Sequence, residues 1–471
     1  MKFWVPVVCG LLVGPFVLAG QAHGQTLNEA LAAAYANSPV LRAERAGLRA
    51  TDEQVPQALS NWRPTIDVTG DIKRADTFAN IRSTGAGGAD QVRTPRGVAL
   101  NITQPVFRGL RTLAATREAE NTVRAARARL LSTEQDVLLD AATAYMDVVR
   151  DQAVLELNIG NEKVLQRQLQ ASRDRFGVGD VTRTDVSQAE ARLAGATADR
   201  IKAEGDLVAS RAVYRNVVGE APRKLTAPAP LGGLPRDREA AFALARDNHP
   251  DVVSALFDEK AARDKIAGVR GELLPTVNLK AKASRDFETF NNTSRFDEKS
   301  IGATVTMPLY QSGAVYSRLR EAKQTVGQER LDVAQARRDV VQGVTQAWEA
   351  LQTARARIVS FTAQVRANGI ALEGVKREAE VGARTVLDIL DAEQELLKAN
   401  VDLVKAQRDE VVAAFELKAA VGRLTARQLN LPVDFYDPER HYREVRGKWF
   451  GGSSKGQAEE TDTGAARGGY K

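Results

Sequence analysis

The chain has one cysteine, Cys9, and three histidines among its 471 residues. Cys9 sits in an apolar N-terminal stretch, so the remainder has no thiol, no disulfide and no cysteine-based metal site. No HExxH, GxSxG, GxGxxG or Gly-Lys-Ser/Thr phosphate loop occurs. His23, His249 and His441 are scattered, and a hydrolase built on carboxylates alone would lack the groups that position them. The expectation is a protein that is not an enzyme and needs no cofactor or metal. An excess of one charge is missing too. With 66 basic and 60 acidic residues the net charge is +6, and the signs are interleaved, which describes solvated helical surfaces and not a nucleic-acid footprint.

Long apolar runs are also lacking. Lys2, an apolar stretch from Val5 to Ala19 and the small-residue site Ala22-His23-Gly24 read as a secretory signal. Cleavage is expected after Gly24 or Ala22. The alternative, an uncleaved anchor, needs about 20 apolar residues. Cys9 is not at the cleavage site and is a poor candidate for lipid attachment. Beyond residue 24 no segment could cross a membrane as a helix. The protein is then either soluble or a β-barrel, since only helices and closed barrels satisfy the backbone in lipid.

What is present is written twice. Asn37–Ser38–Pro39 and Asn248–His249–Pro250 open similar stretches, and Pro64 matches Pro275 at the same offset of 211. Further on the offset is 203: Pro105 matches Pro308, Ala144-Tyr145 matches Ala347-Trp348, and Gly179 matches Gly382. At that offset Asp185 also matches Asp388, Ala189-Glu190 matches Ala392-Glu393, and Val218-Gly219 matches Val421-Gly422. The difference of eight falls between Pro64 and Pro105, which marks an exposed loop there. The expected division is a signal at 1–24, a first repeat at 25–226, a linker at 227–236, a second repeat at 237–424 and a C-terminal segment at 425–471.

Each repeat has one plan. Helix is expected from Pro39 to Ser60, stopping before Trp62-Arg63-Pro64. The run 65–73 puts Ile66, Val68 and Ile72 opposite Asp67, Thr69, Asp71 and Lys73, a period of two. A Gly-rich loop leads to 97–107, where Val98, Leu100 and Ile102 alternate with Ala99, Asn101 and Thr103. In the second half Val277, Leu279, Ala281 and Ala283 oppose Asn278, Lys280, Lys282 and Ser284. The run 301–310 sets Ile301, Ala303, Val305 and Met307 against Gly302, Thr304 and Thr306. These lengths suit tilted membrane strands, although a hairpin on a soluble core would alternate in the same way.

Proline-free helices then run from Leu110 to about Arg175 and from Gly313 to about Ala379, roughly 100 Å each at 1.5 Å per residue. Return helices are expected near Thr184–Val218 and Thr385–Val421. In the last, Leu390, Leu397, Val404 and Val411 recur every seven residues, a coiled-coil seam, and alanines beside it permit close approach. Four strands cannot close a barrel, because about eight is the smallest number that encloses filled space. Membrane strands would therefore have to be pooled, as eight in a dimer or twelve in a trimer. Polar inner faces (Asp67, Lys73, Asn278, Lys280, Lys282) favour the wider lumen.

The doubled plan, the turn motif FGVGDVTRTDVSQAE and its copy EVGARTVLDILDAEQ resemble the TolC family of outer-membrane efflux and secretion channels over residues 25 to 424. The resemblance implies a mainly α fold: helical hairpins forming a periplasmic tunnel beneath a twelve-stranded β-barrel shared by a homotrimer in outer-membrane lipid. It implies a periplasmic adaptor and an inner-membrane pump or ABC exporter as partners. The tail aromatics are expected to pack around the tunnel's waist, and the chain from about residue 452 to be disordered.

Thr182 precedes Asp185, and Thr385 precedes Asp388, by three residues at a helix start. Capping explains both acids, but not Asp391, whose counterpart is Gln188. If both faced the lumen of a trimer, Asp388 and Asp391 would form two carboxylate rings, each like-charge pair costing roughly 0.7–3 kcal/mol at about 6 Å. Such rings suit a constriction that selects by charge. The resemblance implies that Asp388 and Asp391 line the narrowest part of the closed tunnel. It implies that Arg384, Thr184 and Asp185 link neighbouring hairpins, and that the turns at Val178-Gly179 and Val381-Gly382 meet the partners. One departure is Ala379, where the family often has an aromatic. The competing expectation is a periplasmic adaptor or secreted coiled-coil scaffold, but an adaptor normally shows one helical hairpin, not two in register with two strand pairs.

Overall fold

The structure is a computed structural model and describes residues 24–79 and 89–452. All but Gly24 of the expected signal, 1–24, and all but Gly452 of the tail expected to be disordered from about residue 452 lie outside the described residues. The first half runs α1 (Leu27–Asn37), α2 (Pro39–Asp52), α3 (Gln54–Ser60), β1 (Thr65–Ile72), β2 (Ala75–Ala79), β3 (Ala89–Arg93), β4 (Arg96–Arg108), α4 (Arg111–Gly177) and α5 (Arg183–Val218). The second runs α6 (Arg238–Asn248), α7 (Pro250–Arg270), β5 (Thr276–Phe287), β6 (Arg295–Thr306), α8 (Ala314–Glu380) and α9 (Val386–Ala420). A short α10 (Arg440–Val445) lies in the C-terminal segment.

The helix expected from Pro39 to Ser60 is broken at Glu53. Pro56 has no N–H to give to the carbonyl of Asp52, so it is tolerated only in the first turn of a new helix, α3. Proline at the first position opens both α2 and α7, with the Ser38 side chain capping one and the His249 side chain the other.

The four long strands form one antiparallel sheet in the order β1-β4-β5-β6. Register puts Ile66, Ile102, Ala281 and Ile301 in one row across it, and Asp67, Asn101, Lys282 and Ser300 in the next. Neighbouring rows face opposite ways, so the whole sheet has one apolar face and one polar face. On the polar side the Asn101 Nδ2 donates to Asp67 Oδ2 at 3.0 Å, and Lys282 pairs with Glu298 at 2.9 Å. The apolar side is open: Ile66, Val68, Ile301 and Val305 are each at least 65 % exposed. β4 passes Pro105 by a register shift between Pro105 and Phe107, the irregularity that a residue without a ladder donor requires. β6 spans 295–306 and not 301–310, ending before Met307-Pro308. The eight extra residues of the first hairpin fall where β2 pairs with β3 beyond the end of β1 and β4; residues 80–88 of its loop lie outside the described residues.

α4 and α8 have 67 residues each, about 100 Å of helix. Buried positions recur every seven residues along α4, α5, α8 and α9. They are Ala144, Asp151, Asn158, Leu165 and Ser172 on α4, and Val326, Val333, Val340, Ala347 and Ala354 on α8. On the return helices they are Ala189, Ala196, Ala203 and Ser210, and Ala399, Ala406 and Ala413. The deepest row of α9 is therefore alanine, while Leu397, Val404 and Val411 flank it half-buried. A strict seven-residue repeat winds helices left-handedly, and small residues in the seam bring them close. The upper half of α4 packs on α1 and α2 through Leu31, Leu41, Leu48, Leu138 and Tyr145. Its lower half packs on α5 and α9 through Leu165, Leu169, Ala189, Ala196, Val386 and Leu390.

The C-terminal segment runs back along α2 and α4. Arg45 lies between the rings of Tyr35 and Tyr436, at 4.7 and 5.1 Å from their centroids, and Arg127 covers Tyr442 at 5.1 Å. His441 Nδ1 meets the buried Asp52 at 3.2 Å. Trp449 reaches Arg63 at the foot of β1, at 4.8 Å. No described helix is long and apolar enough to cross a membrane.

Candidate functional site at the helix tips

At the end of the long helices farthest from the sheet, two turns reverse the chain. Gly382 has φ +78° and Gly179 φ +81°, the left-handed conformation that suits glycine. Each closes its helix in a Schellman arrangement. Gly382 N–H donates to Ala379 O at 3.1 Å and Ala383 N–H to Glu378 O at 2.9 Å. Gly179 and Asp180 repeat this on Phe176 and Arg175, both at 3.0 Å. Val178 and Val381 project from the turns, 82 % and 81 % exposed. They pack on nothing, so the tips present apolar side chains directly to solvent.

The helix after each turn starts with a reciprocal cap. Thr385 N–H and hydroxyl donate to Asp388 Oδ2 at 2.9 and 2.8 Å, and Asp388 N–H donates to Thr385 Oγ1 at 3.3 Å. Those hydrogen bonds, and after them the charge of Arg384, hold the Asp388 carboxyl below the usual aspartate range. Thr182 and Asp185 form the same cap. Thr184 is exposed beside it.

Arg384 bends back on its own hairpin. Its Nε donates to Glu378 Oε2 at 2.9 Å, and its Nη1 lies 3.9 Å from Asp388. It does not meet Thr184 or Asp185 of the same chain. Asp391 has a partner that sequence reasoning missed: Arg192 of α5, whose Nη2 donates to Asp391 Oδ1 at 2.6 Å. The other arm of Arg192 donates to Gln394. Also missed was an inter-helix ion pair made twice at the offset of the repeat. Arg173 meets Glu190 at 2.7 Å, and Lys376 meets Glu393 at 3.0 Å. The matching Ala-Glu pairs were its sequence signal, together with a basic residue 17 positions upstream in both copies. No group of acidic, His or Cys side chains that could hold a metal occurs among the described residues.

The sheet thus has one apolar face, and about 100 Å of paired helices carry carboxylates at the end farthest from it. The family model for the outer membrane efflux protein matches residues 30–220 and 242–423. The outer membrane efflux protein BepC of Brucella suis is 37 % identical, over 94 % of this chain and 96 % of its own. The outer membrane protein TolC of Vibrio cholerae is 26 % identical, over 91 % of this chain and 97 % of its own. The crystal structure of the Campylobacter jejuni CmeC outer membrane channel superposes with a TM-score of 0.77 at 16 % identity, over 89 % of each chain. The chain belongs to the outer membrane efflux protein family, that of the TolC efflux and secretion channels, and is a protein of the outer membrane.

Proposed function

We propose that three copies of this chain form a passive exit duct from a periplasmic adaptor and inner-membrane pump or exporter to the cell exterior. The duct is gated at its periplasmic tip by rings of Asp388 and Asp391. The observation that carries the reading is the sheet. β1 and β6 are its two edges, its outer face is apolar, and edge groups left unpaired in hydrocarbon cost several kcal/mol each. Pairing β6 of one copy with β1 of the next satisfies both edges, and three copies give twelve strands around a polar lumen.

The helices support the same joint. α5 leaves Ile201, Val208 and Val213 more than half exposed, and α8 leaves Leu331, Val359 and Ile370 so. α5 packs on α1, α4 and α9 and α8 on α6, α7 and α9, so a head-to-tail contact between the open faces of α5 and α8 would close a ring. Arg384, Thr184 and Asp185 then latch neighbouring hairpins across that contact. The exposed turns at Val178-Gly179 and Val381-Gly382 are where an adaptor docks. The chain holds no nucleotide motif, so the driving energy comes from the partners. The names of the relatives, efflux protein among them, support the reading.

Single-channel conductance of the purified protein in a planar bilayer tests this. The wild type should conduct little, favour cations and be blocked by multivalent cations, and Asp388→Ala/Asp391→Ala should lose the block. Failure of both proteins to conduct would overturn the duct and its gate.

A further inference from the structure

The two return helices touch near the tip through a small apolar seam of Ala189, Ala196, Val386 and Leu390, with Leu193 packed on it. Arg192 stands at the rim of that seam. Its planar fork spans one turn of α9, with one arm on Asp391 at 2.6 Å and the other on Gln394. Arg192 is 37 % and Asp391 55 % exposed in the side chain, so the pair faces water and can separate. The two acids of the doublet are consequently not equivalent. Asp388 spends one oxygen on its cap and has Arg384 only at 3.9 Å. Asp391 caps nothing and is matched by a cation from the other hairpin.

We infer that Arg192 is a built-in counter-ion and clamp for the gate: it ties α9 to α5 and neutralises Asp391 while the tip is closed. Movement of α9 away from α5 breaks the clamp and uncovers Asp391. The constriction therefore carries one uncompensated carboxylate row when shut and two when open. A solute cation entering the closed tip competes with Arg192 for Asp391, which weakens block at that row. Lysine cannot replace arginine fully, because a point charge does not hold positions 391 and 394 at once.

The inference rests on the gate reading above, and its test separates the two. Conductance and block by a trivalent cation are recorded for wild type, Arg192→Ala, Arg192→Lys, Asp391→Ala and the exchange Arg192→Asp/Asp391→Arg. Arg192→Ala should raise the open fraction about threefold to tenfold, as expected of a modest exposed pair repeated in each subunit. It should also tighten cation block. On the Asp391→Ala background the tightening of block should be absent, and the change in open fraction should shrink to what the Gln394 contact leaves. Arg192→Lys should fall between. The exchange should restore the low open fraction by re-forming the pair in reverse. Salt at 1 M should raise the open fraction of the wild type, as Arg192→Ala does, by screening the pair, while it weakens cation block. If Asp388→Ala/Asp391→Ala loses the block but Arg192→Ala changes neither quantity, or acts equally on the Asp391→Ala background, the clamp is wrong and the gate stands. If the doublet variant keeps the block, the gate itself is wrong.

Discussion

The two tip hairpins start alike and end differently. Thr182–Asp185 and Thr385–Asp388 build the same cap, with N–H to carboxylate distances of 2.8 and 2.9 Å and returns of 3.3 Å in both. Arg173–Glu190 and Lys376–Glu393 repeat the same inter-helix pair. What the second hairpin adds is Arg384 where the first has Val181, and Asp391 where it has Gln188. The shared part is what a helix start needs in order to fold. The added part is charge that folding does not need, and it gathers on the hairpin whose return helix is held between α4, α5 and α8. The comparison thus separates what a helix start requires from the added charge on which the proposed gate rests.

The sharpest way to break that separation is to mutate equivalent positions. Asp388→Ala/Asp391→Ala should weaken multivalent-cation block at least about tenfold, the scale of charge focusing in a lined cleft. Asp185→Ala/Gln188→Ala should leave the block in place. Both should lower the thermal midpoint in detergent to a similar extent, because each removes the carboxylate that returns to the N-cap backbone while its threonine stays. Equal losses of block in the two would erase the distinction.

The next effect lies in the core. Tyr145 is buried, with its hydroxyl 2.8 Å from Gln25 O and 2.7 Å from Thr226 O, while Thr226 N–H donates to it at 3.1 Å. It ties the N-terminal segment and the end of the first repeat to α4. Its counterpart in the second half is Trp348. Tyr214, whose counterpart is Leu417, is as deeply buried, yet its hydroxyl has no partner, and burial pushes its pKa up. Tyr145→Phe should cost about 1–3 kcal/mol by stranding buried groups, whereas Tyr214→Phe should be neutral or stabilising. Thermal unfolding in detergent measures both. A smaller contrast separates the ion pairs. Glu190 is 49 % exposed in the side chain and Glu393 7 %. Lys376→Ala should cost about 2 kcal/mol by leaving a buried carboxylate unpaired, against less than about 1 for Arg173→Ala.

Much of this was legible in the sequence because it is local. Period-two and period-seven patterns, caps and turn glycines act within a few residues, so the long strands and helices lie close to where the pattern put them. The exceptions have physical causes. The alternation in 301–310 continues past the point where Pro308 ends the ladder, and Pro56 was overlooked inside an amphipathic stretch. The leucine line of α9 masked the alanine row beneath it, because seven-residue spacing alone does not say which row lies deepest. Arg192 could not be read at all. It is 199 positions from Asp391, and nothing in α5 alone says which of its arginines faces another helix. The tail contacts of His441, Tyr442 and Trp449 were hidden for the same reason.

The finest test of scaffold against gate is the pH at which block disappears. Asp388 is held below the ordinary aspartate value of 3.8, first by the hydrogen bonds from Thr385 and then by Arg384. A depressed carboxyl binds its proton less readily in the folded chain than in the unfolded one. The contribution of the cap to stability is therefore full above pH 3.8 and is lost as pH falls through the lowered value. The Asp388 charge in the tunnel follows the same curve, so its share of the cation block, isolated in Asp391→Ala, should survive down to pH 3.8 and fade only below it. Thr385→Val removes the hydroxyl that donates to the carboxylate and keeps the shape, so it should move the fading of block to higher pH. Thr182→Val makes the same change in the other hairpin and should leave the block titration where it was. A shift with Thr182→Val as large as with Thr385→Val would mean that the two caps share the constriction, and that the charge added in the second half is not what sets the gate.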